Sequence, residues 1–418
     1  MRGVFVPQSG IALVWPAAGF RKVEKVGVVI IGASLAGLRT AEALRARSYG
    51  ECITLVGAEP GLPYDRPPLS KDYLSSDHSG EVPLLREDVA FAELELELRV
   101  ETRATRLNPE RRRLSLSNGD EVPYDDVVIA TGADARRLPL SAGVDGFRTL
   151  RTLADADLLR AEFDRRPKVL VLGGGFIGAE VAAAARARDL DVDLVELLPA
   201  PMSAALGPTV GALLADLHTD HGVRLHCGVT VARVFGAPRV EKVELSNGTV
   251  LDADLVVMGL GVVPATAWLD DSGLEIDNGV NCDDRLRAIG RPGVYAVGDV
   301  ARWTHPIFDE SIRVEHWTNA NEHADVVASA IMGEPRVAGA VPYVWSDQYR
   351  RKIQIVGRPA AGDDITLIED PADGRHVAVY ERRGRVVGML TVDAPRTMLR
   401  GRRAIAAGTS AAELVASL

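Results

Sequence analysis

The chain has 418 residues, 47% apolar and 25% charged, with 48 basic against 58 acidic side chains for a net charge of −10. That length exceeds one ordinary core and predicts two or three domains, and the composition excludes disordered and fibrous classes. The acidic balance excludes a general nucleic-acid or anionic-membrane binder unless a local basic patch stands against it.

Residues 1–25 read as a disordered N-terminal extension. Gly3 to Phe20 carries no charge, but Pro7, Gly10 and Pro16 interrupt it short of the about 20 apolar residues a spanning helix needs. A signal peptide is a poor match, because one Arg precedes the segment and no clean apolar run follows. The fold is expected to begin near Val26. GVVIIGASLAGLRTAEALRAR (27–47) predicts a strand, a small-residue turn and an amphipathic helix, and CITLVGAE (52–59) the next strand, together a βαβ unit. The plan recurs in KVLVLGGGFIGAEVAAAARARDLDVDLVE (168–196). Each unit is followed by an apolar strand ending in a glycine turn, DDVVIATGA (125–133) and ADLVVMGLG (253–261). Asp120 to Tyr124 and Thr249 to Ala253 precede these as hairpin returns. RPGVYAVGDVA supplies one more apolar strand, ending at Asp299. From about residue 335, KIQIVG, DITLIE, HVAVYE and VVGMLTV alternate as short strands, which predicts a small antiparallel sheet with helical pieces.

A G-x-G-x-x-G turn between strand and helix brings backbone N–H groups to a pyrophosphate, and the helix N-terminus adds roughly half an elementary charge. Gly173, Gly175 and Gly178 match in full, and Glu196 ends the following strand. A carboxylate there accepts a ribose diol and repels a 2′-phosphate, so this site is expected to prefer NADH to NADPH. In the first turn Gly32 and Gly37 are present, but Ser34 replaces the middle glycine, and its Cβ restricts the backbone. Glu59, at the end of the second predicted strand, supports that turn as a second ribose acceptor. Two dinucleotide sites without a separate substrate domain suggest two cofactors that exchange a hydride.

Several longer motifs are more specific than any glycine turn. Leu62-Pro-Tyr-Asp-Arg-Pro-Pro-Leu-Ser-Lys71, Ala130-Thr-Gly132, Leu150-Arg-Thr-Leu153, Val297-Gly-Asp299, Val314-Glu-His-Trp-Thr-Asn-Ala320 and Trp345-Ser-Asp-Gln-Tyr349 occur in that order. With the two glycine turns, the chain resembles the FAD-dependent ferredoxin reductases of the putidaredoxin reductase and rhodocoxin reductase type, from about residue 26 to past 395. The resemblance implies an α/β fold of two Rossmann-like dinucleotide-binding domains, as in glutathione reductase, plus a C-terminal α+β domain. Its boundaries are 26–134 with 267–332 for FAD, 135–266 for NADH and 333–418 for the C-terminal interface domain. It also implies electron delivery to a small iron–sulfur ferredoxin that feeds a monooxygenase or dioxygenase.

The resemblance assigns Gly32, Ser34, Ala36 and Gly37 to the FAD pyrophosphate turn and Glu59 to the adenosine ribose. Ala104 would meet the adenine through its backbone. Arg66, Lys71, Thr131, Gly132 and Arg151 would lie near the flavin or its phosphates, Asp299 would accept from the ribityl chain, and Trp317 would lie against the ring. For NADH it assigns Gly173, Gly175, Ile177, Gly178, Glu180, Glu196 and Gly261. Lys71 and Glu180 are the candidate catalytic pair: an ammonium near the flavin stabilises the anionic reduced ring, and Glu180 could hold it in place. Lys71 is also expected at a helix start, and Asp299 also reads as an N-cap. His316 reads as structural, because hydride transfer needs no imidazole.

Hydride transfer requires nicotinamide and flavin at near-attack distance, about 3–3.5 Å, and no protein nucleophile. Related disulfide reductases use a redox Cys beside the flavin, but Asp65 to Leu74 contains none. Cys52, Cys227 and Cys282 form no CxxC pair, metal spacing or disulfide framework, which fits a reducing cytoplasm, and Cys52 is expected to be buried in its strand. Electrons are therefore expected to leave the flavin directly for an external protein. An acidic ferredoxin needs a local positive face on this acidic chain, and Arg350, Arg351, Lys352, Arg302 and Arg313 are the candidates. The alternatives are a rubredoxin reductase, a slow NADH oxidase, or an NADH-sensing flavoprotein related to apoptosis-inducing factor that mainly binds partners.

Overall fold

The computed structural model describes residues 26–75, 79–370 and 375–418, so the expected N-terminal extension lies outside the described residues. The first sheet is parallel throughout and has strand order Val294–Ala296, Asp126–Ile129, Gly27–Ile31, Cys52–Val56, Leu96–Arg99. The second, also parallel, runs Arg224–Cys227, Val192–Glu196, Val169–Leu172, Leu255–Met258, Phe147–Arg148. Their central strands, GVVII and VLVL, are buried along their whole length. Continuous apolar runs of this kind mark parallel strands covered on both faces, and each such side chain contributes about 1.5–3 kcal/mol.

The expected hairpin returns are real. Glu121–Pro123 and Val250–Asp252 each complete a three-stranded antiparallel sheet, with Ala104–Asn108 and Arg113–Leu116 in the first case and Val231–Phe235 and Lys242–Leu245 in the second. Ala133–Ala135 and Val262–Pro264 run antiparallel side by side where the chain passes between the two parallel sheets. The last unit is a five-stranded antiparallel sheet in the order Tyr343–Gln348, Arg351–Gly357, Arg385–Val392, Arg375–Arg382, Asp364–Asp370, followed by helices Pro395–Ala407 and Ala411–Ser417. The helices Leu153–Phe163, Ser203–Asp220 and Trp317–Ile331 had no counterpart in the sequence-based expectation.

Four local expectations need correction. The second strand ends at Val56, so Glu59 stands three residues beyond it, because the chain bends at residues 58–60 once past Gly57, which packs against Ala33. Cys52 opens that strand and is half-buried, since the strand's first residue is covered less than its centre. Lys71 sits between two short 3-10 turns, Pro67–Ser70 and Asp72–Leu74, instead of starting an α-helix, because its own backbone, at φ −124 and ψ −111, is not helical and breaks the run. Asp299 lies inside a 3-10 turn, Gly298–Val300, that leads into the strand Ala301–His305, so it caps no α-helix.

Candidate functional site

The helices after the two glycine turns, Leu35–Ala46 and Phe176–Ala187, begin at Ser34 and Gly175. Neither N-cap makes a side-chain cap hydrogen bond, and neither helix has an acidic residue in its first turn. Elsewhere Thr152 and Ser410 close their helices with full capping boxes to Asp155 and Glu413. The first-turn N–H groups of the two turn helices thus keep no side-chain acceptor, and the positive end of each helix dipole adds to them, which makes two anion-binding concavities. A Cβ on Gly37 would stand 2.0 Å from the Gly32 carbonyl oxygen, and one on Gly178 would stand 1.9 Å from that of Gly173. Only glycine lets these helices approach their strands so closely. Gly175 is different, because an added Cβ would meet nothing within 4 Å and φ −74, ψ −173 is ordinary extended backbone. Its missing side chain leaves room for something outside the chain. Ser34 holds the corresponding place at φ −132, ψ −162, which a serine adopts without strain, so the departure from the glycine pattern does not distort the first turn.

A cleft of about 350 Å³ lies where the two parallel units and the C-terminal sheet meet. Ser34, Ala36, Arg66, Lys71, Thr131, Gly132, Arg151, Ile177, Glu180, Asp299 and Trp317 all line it. Arg66 donates from Nη2 to Glu59 Oε1 at 2.7 Å and from Nε to Ser34 Oγ at 3.3 Å, and it also donates to the Arg151 carbonyl. Arg151 Nη2 donates to Asp299 Oδ2 at 2.9 Å, and Thr131 Oγ1 to the Ala265 carbonyl at 3.0 Å. The Trp317 indole donates to Asp65 Oδ1 at 2.9 Å, which fixes the ring, and Trp345 meets it edge-on at 6.2 Å and 74°.

Glu180 is 3% exposed, and a bare carboxylate so buried would be costly. It is well compensated. Lys71 Nζ donates to its Oε2 at 2.7 Å, the Ser70 hydroxyl donates to the same oxygen, and Ser346 Oγ donates to Oε1 at 2.6 Å. The expected Lys71 and Glu180 pair is therefore brought together. His316 also borders the cleft, and burial lowers its imidazole to about 4, so it is neutral near neutral pH, as a structural histidine should be.

The remaining expected residues do not line the cleft. Gly32 and Gly37 lie inside the first turn, as Gly173, Gly175 and Gly178 lie inside the second. Glu59 accepts from the Tyr64 hydroxyl at 2.5 Å, and burial pushes that phenol up to about 12, so it remains a donor. Glu196 accepts from Gly174 N at 2.7 Å and Leu198 N at 2.8 Å, which holds its carboxylate against the second turn. Gly261 stands in open space at φ +81, and Ala104 is buried at the start of its strand.

The family model for pyridine nucleotide-disulphide oxidoreductases matches residues 26–324, and the reductase C-terminal model matches 343–416. The chain belongs to the pyridine nucleotide-disulphide oxidoreductase family. Relatives include a ferredoxin-NAD(P)+ reductase of Sphingomonas sp, 36% identical over 91% of this chain and 92% of that one, and the rhodocoxin reductase of Rhodococcus erythropolis, 35% identical over 91% and 90%. The putidaredoxin reductase in its covalent complex with putidaredoxin superposes with a TM-score of 0.88 at 33% identity, covering 92% of this chain and 93% of that one. Family membership implies FAD and a pyridine nucleotide, and the site fits both. Two uncapped helix starts await anions, and Arg66 and Arg151 have donors to spare, since each guanidinium carries five N–H groups. This oxidoreductase departs from the disulphide members in one respect: none of its three cysteines lines the cleft.

Sequence reasoning passed over Asp65, Ser70, Trp345, Ser346 and Gln348. All five lie within motifs that it singled out, but only the folded chain shows that strand 343–348 reaches Glu180.

Proposed function

We propose that this oxidoreductase carries electrons from NADH, through bound FAD, to a small iron–sulfur ferredoxin that serves an oxygenase. One observation carries the proposal: a single cleft joins both dinucleotide turns at the Lys71–Glu180 pair, and no thiol lies in it to divert electrons to a disulfide. The named activities of the relatives agree with it.

FAD, when bound, supplies the conversion between paired and single electron transfer. The chain's own residues do the rest. The first turn and Arg66 would hold the FAD phosphates, Glu59 its ribose and Asp299 its ribityl chain, while Arg151 steadies Asp299. Lys71 holds a positive charge at the cleft, where it would favour an electron-rich ring, and Glu180 keeps the ammonium aimed. Trp317, pinned by Asp65, would close one face. Gly173 to Gly178 would take the nicotinamide dinucleotide, and the fixed Glu196 carboxylate would repel a 2′-phosphate, which favours NADH. We assign 26–134 with 267–332 to FAD, 135–266 to NADH and 333–418 to the interface unit.

The docking face is part of the same proposal. Arg302 and Arg313 are close neighbours, since both approach Gly279, but Asp277 pairs the first at 3.2 Å and Glu315 the second at 2.7 Å. Arg351 pairs with Asp393 at 2.5 Å. Arg350, exposed in the hairpin turn, and Lys352, only 3.9 Å from Asp347, offer the more available charge, and we place the acidic partner there. Three free cysteines agree with a cytoplasmic setting, and no described helix is long and apolar enough to cross a membrane.

The test is an anaerobic titration of the purified protein with NADH, followed by addition of a ferredoxin. The flavin band should bleach in the first step and recover in the second. A colourless protein that accepts no FAD refutes the proposal.

A further inference from the structure

The strand Tyr343–Gln348 belongs to the C-terminal unit, yet two of its side chains enter the catalytic pair's surroundings. Ser346 is fully buried and Gln348 is 1% exposed, and as residues i and i+2 they share one face of the strand. Gln348 Nε2 donates to Ser346 Oγ at 3.0 Å, and Ser346 Oγ donates to Glu180 Oε1 at 2.6 Å.

The direction of this relay is forced by chemistry. An ionised Glu180 only accepts, so the single hydroxyl proton of Ser346 must point to it. The Ser346 oxygen then needs a donor, and Gln348 can supply one only through its NH₂ group. The other end of that amide, Oε1, is buried with no hydrogen-bond partner among the described residues. Among the described residues the amide's partner is the Ser346 hydroxyl. What it does is fix which way the Ser346 hydroxyl points.

We propose that Ser346 and Gln348 are positioning residues for hydride transfer, by which the C-terminal unit sets the orientation of Glu180 and, through it, of Lys71. This rests on the proposed flavin chemistry of the cleft. Ser70 and Lys71 share Oε2, so Ser346 is the sole side-chain donor found for Oε1 among the described residues. Without it the carboxylate loses one of its two anchored oxygens and turns about the other. Its charge then shifts wholly towards Lys71, which neutralises the ammonium more completely.

The experiment compares wild type, Ser346→Ala, Gln348→Leu and Glu180→Gln, each reconstituted with FAD. Flavin reduction by NADH is followed by anaerobic stopped flow, and the flavin midpoint potential is measured without NADH. Loss of one hydrogen bond to a charged group predicts a limiting reduction rate about tenfold lower in S346A, with the NADH dissociation constant unchanged. The midpoint potential should fall. Q348L should change both in the same sense, by less. In the E180Q background S346A should have no further effect on either, because Ser346 acts through that carboxylate. An S346A protein with wild-type rate and potential overturns the proposal, as does an S346A effect undiminished in E180Q. If S346A fails to fold, Q348L decides by the same two readouts, and no change in either overturns it. A wild type that NADH does not reduce overturns the proposed function instead.

Discussion

Gly175→Ala separates a ligand's demands from the fold's. At this residue φ −74, ψ −173 suits any side chain, and an added Cβ meets no chain atom within 4 Å. The chain itself therefore has no need of glycine here. Alanine should leave stability unchanged or raise it by about 0.4–1 kcal/mol, through the unfolded state. If the NADH pyrophosphate sits on the first-turn N–H groups, the new methyl pushes it away and weakens one or two charge-assisted hydrogen bonds. A weakening equal in sum to one such bond, about 1.5–3 kcal/mol, raises the apparent KM for NADH roughly 10- to 150-fold. The assay is ferricyanide reduction at varied NADH, with flavin content and thermal stability measured in parallel. Flavin content should not move, because the first turn is untouched. Gly178→Ala is the contrast: its Cβ would stand 1.9 Å from the Gly173 carbonyl oxygen, so the fold itself must give. An unchanged KM in Gly175→Ala would refute the placement of NADH on this turn.

Two further outcomes are expected. Burial works against the ionised form of Glu162, but Arg239 and Arg148 outweigh it and hold the carboxyl below its usual range. A depressed folded value contributes stability that is complete above the unfolded value of about 4.3 and is lost as pH falls through the folded one. The difference in thermal stability between wild type and Arg239→Met isolates this pair from the buried histidines, and it should be flat from neutral pH down to about 5 and should shrink below about 4. Arg239→Met should cost roughly 5 °C at neutral pH and much less at pH near 3, and an equal cost at both would sink the assignment. For the docking face, Lys352→Glu should raise the apparent KM for an acidic ferredoxin about fivefold and leave ferricyanide reduction unchanged. An equal effect on both acceptors would show that Lys352 serves the fold or the flavin instead.

Most of the two parallel sheets could be read from the chain because buried parallel strands are continuous apolar runs, as in GVVII and VLVL. The elements that escaped notice lack such a signal. Ser203–Asp220 is interrupted by Gly207 at φ +77 and Pro208, which mask its helical period. Trp317–Ile331 starts from His316, which is no customary cap. At the site, residues whose chemistry acts locally were legible, such as Gly178 and Glu196. Lys71 and Glu180 were joined through family likeness. The hydroxyls around Glu180 were not legible, because residues 70, 180 and 346 become neighbours only when three units close on one another.

The first sheet also sets the order in which the chain can mature. Its edge strand, Val294–Ala296, pairs with Asp126–Ile129, and every strand of the second parallel sheet lies between them in sequence. During synthesis the later-numbered sheet emerges whole while the earlier one still lacks its border. The intervening unit can therefore close first, and by doing so it shortens the effective loop that the first unit must bridge. A ribosome-bound chain stalled just short of residue 294 should protect the second sheet from protease while the first remains open to it.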